Sequence, residues 1–360
     1  MIAIRAATAF EIAGWDELVR RFDNHRIVHT RAWIDWLRAC GHGQPLYLVF
    51  EAGEQVVGCL PGLVRSLGPL RLFGSPLPGW QTPSMGPVFD RNRVTTRDLI
   101  APLVAHLEQH HGVHHIEILS SHLDRETMTA FGFRGEPVPT HRAPLFPGDA
   151  SRVFRSFKES ARRNVRRAER LGLIARFEEE DAEAFAREHY SQLQEVFVRG
   201  GNTVPFGEQE VLEFFRHMKA AGRLVAIAVY LPDGCTCIAT GLFTVAEKEL
   251  LLWSWTHRTK HRWFRPTELL TWLVIQRGLA AGCETFDFMG MGDFKTKFGA
   301  APDLSKYCWV RSRYRWLRRA RDFAEWGYRW QQTVRGHLAR IAMFGFGGLS
   351  THLPIDAAGE

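Results

Sequence analysis

Two of the chain's seven lysines stand two residues apart in a short loop that follows an apolar strand. The stretch is Phe286-Asp287-Phe288-Met289-Gly290-Met291-Gly292-Asp293-Phe294-Lys295-Thr296-Lys297-Phe298-Gly299. Its paired glycines permit a tight turn, so the loop could aim Lys295 into a cleft at the end of the strand. In the alternative interpretation the glycines only make a turn, the phenylalanines pack and both lysines are solvated.

The elements that must position this loop come from the second half of the chain. Arg223–Tyr230 alternates as a strand, a Pro-Asp-Gly turn follows, and Thr236–Val245 is its hairpin partner. The next strand is Glu249–Thr256, and a helix over Pro266–Ala281 follows it and stops at a glycine. Strand Thr285–Met289 then leads into the lysine loop.

The first half of the chain shows the same coarse order, which suggests a duplication. Leu46–Glu51 and Gln55–Val64 are expected to form a hairpin, and Gly68–Pro87, rich in glycine and proline, is expected to be irregular. A helix over Thr96–His110 then precedes the strand His115–Leu119. Both halves are therefore predicted to be antiparallel hairpins that end in one helical crossover.

Further helices are predicted between and after the two halves. The apolar side chains of Ser151–Leu171 recur at spacings of three and four, as in one amphipathic helix. Two more helices are expected near Asp181–Val198 and Glu208–Ala221, and another from Tyr314 to about Met343.

Two stretches resemble the FemAB-like branch of the GNAT acyltransferase superfamily, which includes the BioF2-like (CelD-type) acetyltransferase domain. One is the basic helix Lys158-Glu159-Ser160-Ala161-Arg162-Arg163-Asn164-Val165-Arg166-Arg167-Ala168-Glu169-Arg170-Leu171-Gly172. The other is Phe294-Lys295-Thr296-Lys297-Phe298-Gly299, which is similar to the Fem F-K-x-x-F-G motif. The resemblance covers roughly residues 25–310.

The resemblance implies an α/β (α+β) fold of tandem GNAT-like domains, each a mixed, mostly antiparallel sheet flanked by helices. We therefore expect one GNAT-like domain over residues 1–150, a second over 151–310, and a basic, Arg- and Trp-rich helical tail over 311–360. The resemblance also implies an acyltransferase in which an activated acyl donor meets an amine near splayed strands of the second domain. The donor is a co-substrate, and no cofactor is expected to stay bound.

The same resemblance suggests roles for side chains. In Fem enzymes the motif lysine stabilises the oxyanion, which assigns that role to Lys295. We expect Lys295→Met to abolish activity and to leave Tm nearly unchanged. The amine must also lose a proton, and His257, Glu268 and Asp287 are candidate bases that the sequence does not distinguish. A carboxylate beside apolar side chains has a raised pKa that suits a base, but an aspartate there more often bonds a turn backbone.

The predicted donor site departs from GNAT enzymes at large, which cradle the pyrophosphate of coenzyme A with a glycine-containing loop. The corresponding stretch, Arg258–Pro266, has no glycine, although Lys260, Arg262, Arg265 and the helix start attract anions. This weakens coenzyme A as donor and favours an acyl carrier protein or an aminoacyl-tRNA. No segment is long enough for the helical arm of peptidoglycan Fem enzymes, so acyl groups other than aminoacyl are favoured.

Aromatic and basic side chains near the same strand ends are further candidates for substrate binding. Trp253 and Trp255 are expected on one face of their strand, where they could line an acyl channel, and Lys297 lies in the lysine loop. Large aromatics on a strand are more often core. His106 and His110 stand four apart on a helix but lack the glutamate of an H-E-x-x-H motif, and no metal site is expected.

Positive charge is concentrated in two segments. The chain carries 46 basic and 39 acidic side chains, a formal net charge of +7. Ser151–Arg176 has nine basic and two acidic residues, and Lys306–Arg340 has ten and two, so the remainder is acidic. The second segment could lie on anionic lipid, dock an acidic carrier protein or track RNA. The alternative is a solvated helix face whose tryptophans pack on the domain.

The 360 residues are 45% hydrophobic and 24% charged, which excludes a disordered chain. Six scattered cysteines and the lack of an apolar run of spanning length favour a cytoplasmic protein, at most peripheral at the inner membrane face. The leading hypothesis is an N-acyltransferase that acts on an amine of a small molecule or of a cell-envelope or exopolysaccharide precursor. The rival is a noncatalytic GNAT-like module whose basic helices hold RNA, an acidic carrier protein or a membrane surface. Nucleic acid is otherwise expected only as a tRNA donor.

Overall fold

The computed structural model describes residues 2–344, except for the side chains of 328, 329, 332, 333 and 335–344. The last part of the predicted basic tail, residues 345–360, lies outside the described residues. The chain forms two compact units. Unit 1 combines Met1–Pro139 with Leu304–Asp322, and unit 2 is built on Thr140–Asp303.

Unit 1 contains an eight-stranded mixed sheet, with strands numbered in chain order. They are β1 (Ile2–Ala6), β2 (Gln44–Ala52), β3 (Gln55–Leu67), β4 (Leu70–Ser75), β5 (Val88–Phe89), β6 (His115–Ser120), β7 (Arg134–Pro137) and β15 (Tyr307–Ser312). The order is β1-β2-β3-β4-β6-β15-β7, and β5 pairs with β3. Neighbouring strands are antiparallel except β4 and β6, which run parallel.

The helices of unit 1 connect and cover these strands. They are α1 (Ala9–Ala13), α2 (Trp15–Arg20), α3 (Arg31–Ala39), α4 (Thr96–His110) and α5 (Arg125–Ala130). Helix α4 is the crossover between β4 and β6, and it begins at a capping box formed by Thr95 and Asp98. Its buried Leu99, Leu103 and Leu107 pack into the core of the unit, so the predicted helix is confirmed with its predicted bounds.

Unit 2 contains a seven-stranded sheet with the order β14-β8-β13-β12-β11-β10-β9. The strands are β8 (Thr140–Pro144), β9 (Ile174–Phe177), β10 (Leu224–Tyr230), β11 (Cys237–Ala246), β12 (Glu249–His257), β13 (Thr285–Asp287) and β14 (Ala301–Asp303). The β12–β13 pair is parallel, and the other pairs are antiparallel. The order hairpin, return strand, helix, parallel strand therefore occurs in both units, as the predicted duplication requires.

The remaining helices follow the same numbering. They are α6 (Ala150–Ser156), α7 (Glu159–Arg170), α8 (Ala182–Arg199), α9 (Glu208–Ala220), α10 (Pro266–Ala280), α11 (Asp293–Thr296) and α12 (Arg315–Phe344). Helix α10 begins at Pro266, where the lack of an N–H is tolerated because the first N–H groups of a helix have no partner within it. This helix is the crossover between β12 and β13. No described helix has both the length and the apolar character that crossing a membrane requires.

The structure corrects two predictions of local structure. The stretch predicted to be irregular contains β4, which forms a tight hairpin with β3 through the pair Leu67 and Leu70. The single helix predicted over Ser151–Leu171 is divided into α6 and α7, because Phe157 has extended backbone with ψ 147°. The break is stabilised by tertiary contact, since the N–H of Lys158 donates to the carbonyl of Lys297 at 2.8 Å.

Two strands pair outside the residue ranges predicted for the domains. Strand β15 crosses the predicted boundary at residue 310, and it pairs with β6 and β7 in the sheet of unit 1. Strand β8 lies within 1–150 but pairs with β13 and β14 in the sheet of unit 2. Each unit is thus completed by a short strand from beyond its predicted boundary.

Candidate active site

The candidate site lies in unit 2, where β12 and β13 separate. The two strands pair through Glu249–Leu251 and Thr285–Asp287, after which β13 ends and β12 continues to His257. The indole of Trp255 lies beside this divergence, 5.9 Å from the ring of Phe288 and 5.5 Å from that of Phe294. Aromatic side chains therefore occupy the space that the diverging strands open.

Lys295 lies on α11 and is held by the loop that precedes it. Its Nζ donates to the carbonyl oxygens of Met289, Gly290 and Met291 at 2.8, 3.2 and 3.5 Å. Burial lowers the pKa of Lys295 to about 8, while the negative charge of Asp287 acts in the opposite direction. The ammonium is thus a partly desolvated cation bound to backbone, and the interpretation of a solvated Lys295 does not hold.

This geometry changes the expected effect of Lys295→Met on stability. The substitution removes a donor shared by three carbonyl groups. The Gly290 carbonyl keeps the N–H of His141 and Met291 is exposed, so the loss falls chiefly on the carbonyl of Met289. A hydrogen bond to a charged group contributes about 1.5–3 kcal/mol. These hydrogen bonds argue against a nearly unchanged Tm, and we expect Lys295→Met to lower Tm, because Lys295 also holds its own loop.

Asp287 is fully buried at the end of β13, and its contacts shape the loop. Its Oδ1 accepts from the Thr140 hydroxyl and from the N–H of Met289, both at 2.9 Å. The Thr140 oxygen in turn accepts from the N–H of Gly290 at 3.0 Å. The structure therefore shows Asp287 bonded to the backbone of a turn, which is the alternative to a role as base.

His141 is a candidate that the sequence interpretation missed. It lies on β8 and is 3% exposed, and its backbone exchanges hydrogen bonds with Gly290 and Phe288. Among the described residues its Nδ1 has no hydrogen-bond partner. Burial lowers the pKa of His141, and the charge of Lys295 lowers it further, so the imidazole is neutral near pH 7. No local signal marks this histidine, because its strand pairs with residues about 145 positions later.

The other two predicted bases lie elsewhere in unit 2. His257 ends β12 beside Glu195, and its pKa is lowered chiefly by burial. Glu268 is 3% exposed in the first turn of α10 and accepts from Asn164 Nδ2 at 2.9 Å. In the described part of the chain neither of them hydrogen-bonds to Lys295.

The expectation that Trp253 and Trp255 share one face of their strand is wrong. The pairing register of β11 with β12 shifts between Leu242 and Phe243, which marks a β-bulge at Trp253. The Trp253 ring stacks on Phe214 of α9 at 4.1 Å, whereas Trp255 contacts the rings of the lysine loop. Of the two, Trp255 alone therefore borders the strand divergence.

The predicted donor loop forms a 3-10 turn over Thr259–Phe264. Arg258, just before it, binds both carboxylate oxygens of Glu188 at 2.8 Å, so its charge is already compensated. Lys260 and Arg262 are exposed, and Arg265 adopts a left-handed conformation with φ 64°. Since Glu268 places a buried carboxylate in the first turn of α10, the helix dipole already faces a negative charge.

Helix α7 connects this turn with the lysine loop. Its N-cap residue Lys158 donates to the Thr296 hydroxyl at 3.0 Å, and Arg167 lies 5.4 Å above the ring of Trp263. Lys297 Nζ lies 5.0 Å from the centre of the Phe294 ring. The structure therefore brings Lys297 and Trp255 together at the Phe294 ring, and it leaves Trp253 outside this group.

Comparison with known proteins identifies the domain. Residues 155–298 match the family described as the acetyltransferase (GNAT) domain. The sequence matches no curated protein. The crystal structure of FemX superposes with a TM-score of 0.68 at 12% identity, over 85% of this chain and 96% of FemX.

Two further solved structures have the same arrangement. A tandem GNAT protein from the clavulanic acid biosynthesis pathway gives a TM-score of 0.52 at 12% identity, over 87% of this chain and 99% of that one. L-PGS from Bacillus licheniformis gives 0.50 at 12% identity, over 86% and 94%. The chain thus contains a GNAT domain within a tandem, FemX-like fold. This confirms the recognition of a GNAT domain with a FemX-like fold, and it confirms the predicted fold class.

Proposed function

We propose that the protein is an N-acyltransferase that moves an acyl group from an activated thioester or ester to an amine. The acceptor is a small molecule or a cell-envelope or exopolysaccharide precursor. The observation that supports this most directly is that a half-buried cation, Lys295, and a residue with a neutral imidazole, His141, both donate to the carbonyl of Gly290 just after β13. Acyl transfer requires both a cation for the developing oxyanion and an acceptor for the proton of the amine.

The reaction assigns one step to each group. The amine nitrogen bonds to the carbonyl carbon, and the oxygen becomes an oxyanion that Lys295 Nζ stabilises after leaving one of its three carbonyl partners. His141 Nδ1 accepts the proton that the attacking nitrogen loses. The C–S or C–O bond then breaks, and the thiolate or alkoxide leaves with a proton returned by the imidazolium.

We propose an acyl carrier protein as the donor in preference to coenzyme A. The loop before α10 lacks glycine, and the Glu268 carboxylate already interacts with the positive end of the helix dipole. A free pyrophosphate therefore has few favourable contacts at this position. Helix α7 instead exposes Arg163, Arg166 and Arg170, which have no carboxylate partner among the described residues. An acidic carrier protein complements this surface and delivers its thioester from outside the pocket.

Glu159 and Glu169 favour a protein over a nucleic acid at this surface. Both carboxylates border the groove that the arginines of α7 line. A uniformly charged phosphate backbone would be repelled at these two positions, whereas a protein helix can place basic side chains opposite them.

The test is acyl transfer by the full chain, followed as thiol release with acetyl-coenzyme A, with an acetylated acyl carrier protein and with an amine panel. Lys295→Met should lower turnover by about 10² to 10³. Lys248→Met, which removes an exposed lysine paired with Glu284, is the matched control and should retain full turnover. Wild-type turnover by the Lys295 variant would contradict the proposed role.

A noncatalytic binding module remains the second candidate, because one observation favours it. The ring of Trp255 packs on Phe288 and Phe294, and the hydrogen bonds of Lys295 all go to its own loop. If Trp255 and Lys295 keep these contacts, the site does not admit a substrate. Carrier-protein binding with no turnover for any donor would select this second function over acyl transfer.

A further inference from the structure

Helix α12 exposes four large aromatic side chains. The exposed fractions are 56% for Trp316, 70% for Phe323, 61% for Trp326 and 61% for Trp330. Positions 316, 323 and 330 are seven residues apart and fall on one face of a helix, and position 326 lies next to that face. We call these four residues the aromatic stripe. The alternative in which the tryptophans of this segment pack on the domain therefore holds for the fully buried Trp309 but not for Trp316, Trp326 and Trp330.

A different face of α12 attaches the helix to unit 1. Leu317 is 7% exposed, and the guanidinium of Arg321 binds Glu117 at 3.1 Å and Glu136 at 3.0 Å. The start of the helix is therefore attached through these contacts, and the aromatic stripe does not contribute to them. Large exposed apolar patches on a soluble protein mark sites of interaction.

The charge around the stripe is positive. Arg315 and Arg319 are exposed and Arg318 is half-buried, and none of them forms an ion pair with another described residue. The acidic Asp322, by contrast, is bound by Arg134. The uncompensated charge at the start of α12 is therefore basic, and Arg315 and Arg319 lie beside the aromatic stripe on the helix surface.

We propose that α12 binds an anionic membrane surface, with the aromatic stripe in the interface and the arginines at the lipid phosphates. Basic helices with Trp and Phe on one face bind in this way. A second copy of the chain fits the stripe less well, because it would bring the same arginines of two helices together. This proposal goes beyond acyl transfer and does not depend on whether the protein catalyses that reaction.

The test is flotation of the full chain with vesicles of phosphatidylcholine, with and without phosphatidylglycerol. We expect the chain to float only with vesicles that contain the anionic lipid. Brominated acyl chains should then quench the tryptophan fluorescence of the bound chain. Phe323→Ser/Trp326→Ser/Trp330→Ser should weaken partitioning by more than about a hundredfold. The matched control Phe10→Ser/Leu67→Ser changes two exposed apolar residues of unit 1 and should bind as the wild type does.

A second variant separates charge from apolar contact. Arg315→Gln/Arg318→Gln/Arg319→Gln keeps the aromatic stripe and should remove about a hundredfold of the preference for anionic vesicles. Absence of flotation of the wild-type chain, or equal binding by the aromatic variant, would overturn the proposal. So would dimerisation that depends on the stripe and proceeds without vesicles, because a second copy would then be the occupant.

Discussion

Helices α7 and α12 have similar charge in the sequence and opposite arrangements in the structure. Helix α7 buries its apolar residues Ala161, Val165 and Ala168 and exposes all of its arginines except the half-buried Arg162. Helix α12 exposes its aromatic residues and directs Arg321 into an ion network with the 1% exposed Glu117. An arginine on α7 is thus available to a partner, whereas Arg321 is a structural anchor.

The comparison shows that net charge alone does not identify a binding surface. The basic segments that contain α7 and α12 have net charges of +7 and +8, so composition alone would assign the same role to both. Ion pairing and burial distinguish them. We infer that α7 serves the donor of the acyl group through charge, and that α12 serves a membrane surface through apolar contact supported by charge.

The largest expected effect is on stability, and it tests the structural role of Arg321. Arg321→Ala removes the guanidinium that compensates the buried Glu117 and leaves that carboxylate with His115 at 2.9 Å and the Cys308 thiol at 3.3 Å. Breaking a buried ion pair costs about 3–5 kcal/mol. Arg166→Ala on α7 removes an exposed side chain and should cost less than about 0.5 kcal/mol. Thermal unfolding of both variants measures the difference, and similar Tm values would contradict the contrast between the two helices.

The next largest effect concerns His141. His141→Asn should lower turnover by about 10² or more, because general-base catalysis contributes about 10² to 10⁴. We expect kcat to fall with KM unchanged, since the imidazole is assigned to proton transfer. Steady-state kinetics with a saturating amine is the measurement. Unchanged kcat would return the role of base to His257 or Glu268.

A smaller effect is expected in the pH dependence of turnover. Lys295 must be protonated to stabilise an oxyanion, and burial places its pKa at about 8 instead of the usual 10.5. Turnover should therefore fall as pH rises through about 8, and its acid limb should lie below pH 6.5, since the pKa of His141 is lowered. A constant rate up to pH 10 would show that the cation is not required.

The same shift has a consequence for stability. The unfolded chain holds the lysine proton up to about pH 10.5, whereas the folded chain releases it from about pH 8. The unfolded state therefore binds more protons between these values. By linkage, this group makes the folded state more stable as pH rises from about 8 to 10.5. Lys295→Met should remove this contribution from the pH dependence of Tm.

Local signals made several elements predictable from the sequence. Helix α4 has a threonine cap and an aspartate three residues later, and α10 begins at a proline, so both were predicted within one residue. The recognition of a FemAB-like GNAT fold rested on the basic helix and the lysine loop, and it is confirmed.

The remaining features depend on distant contacts. The break between α6 and α7 depends on the bond from Lys158 to the carbonyl of Lys297, and strand β8 exists because it pairs with β13. His141 enters the site through that pairing. The sequence leaves the role of the aromatic stripe open, because the spacing of aromatic residues shows which of them share a face, but does not show whether that face is covered.

The most direct test exchanges charge on one basic helix at a time. One variant changes three arginines of α7 to glutamate, Arg163, Arg166 and Arg170. The other changes three arginines of α12 to glutamate, Arg315, Arg318 and Arg319. Binding of an acyl carrier protein and of phosphatidylglycerol vesicles is measured for both. We predict that the α7 variant loses the carrier protein, by about tenfold or more, and keeps the vesicles, and that the α12 variant does the reverse. Equal losses in both variants would contradict separate roles for the two helices.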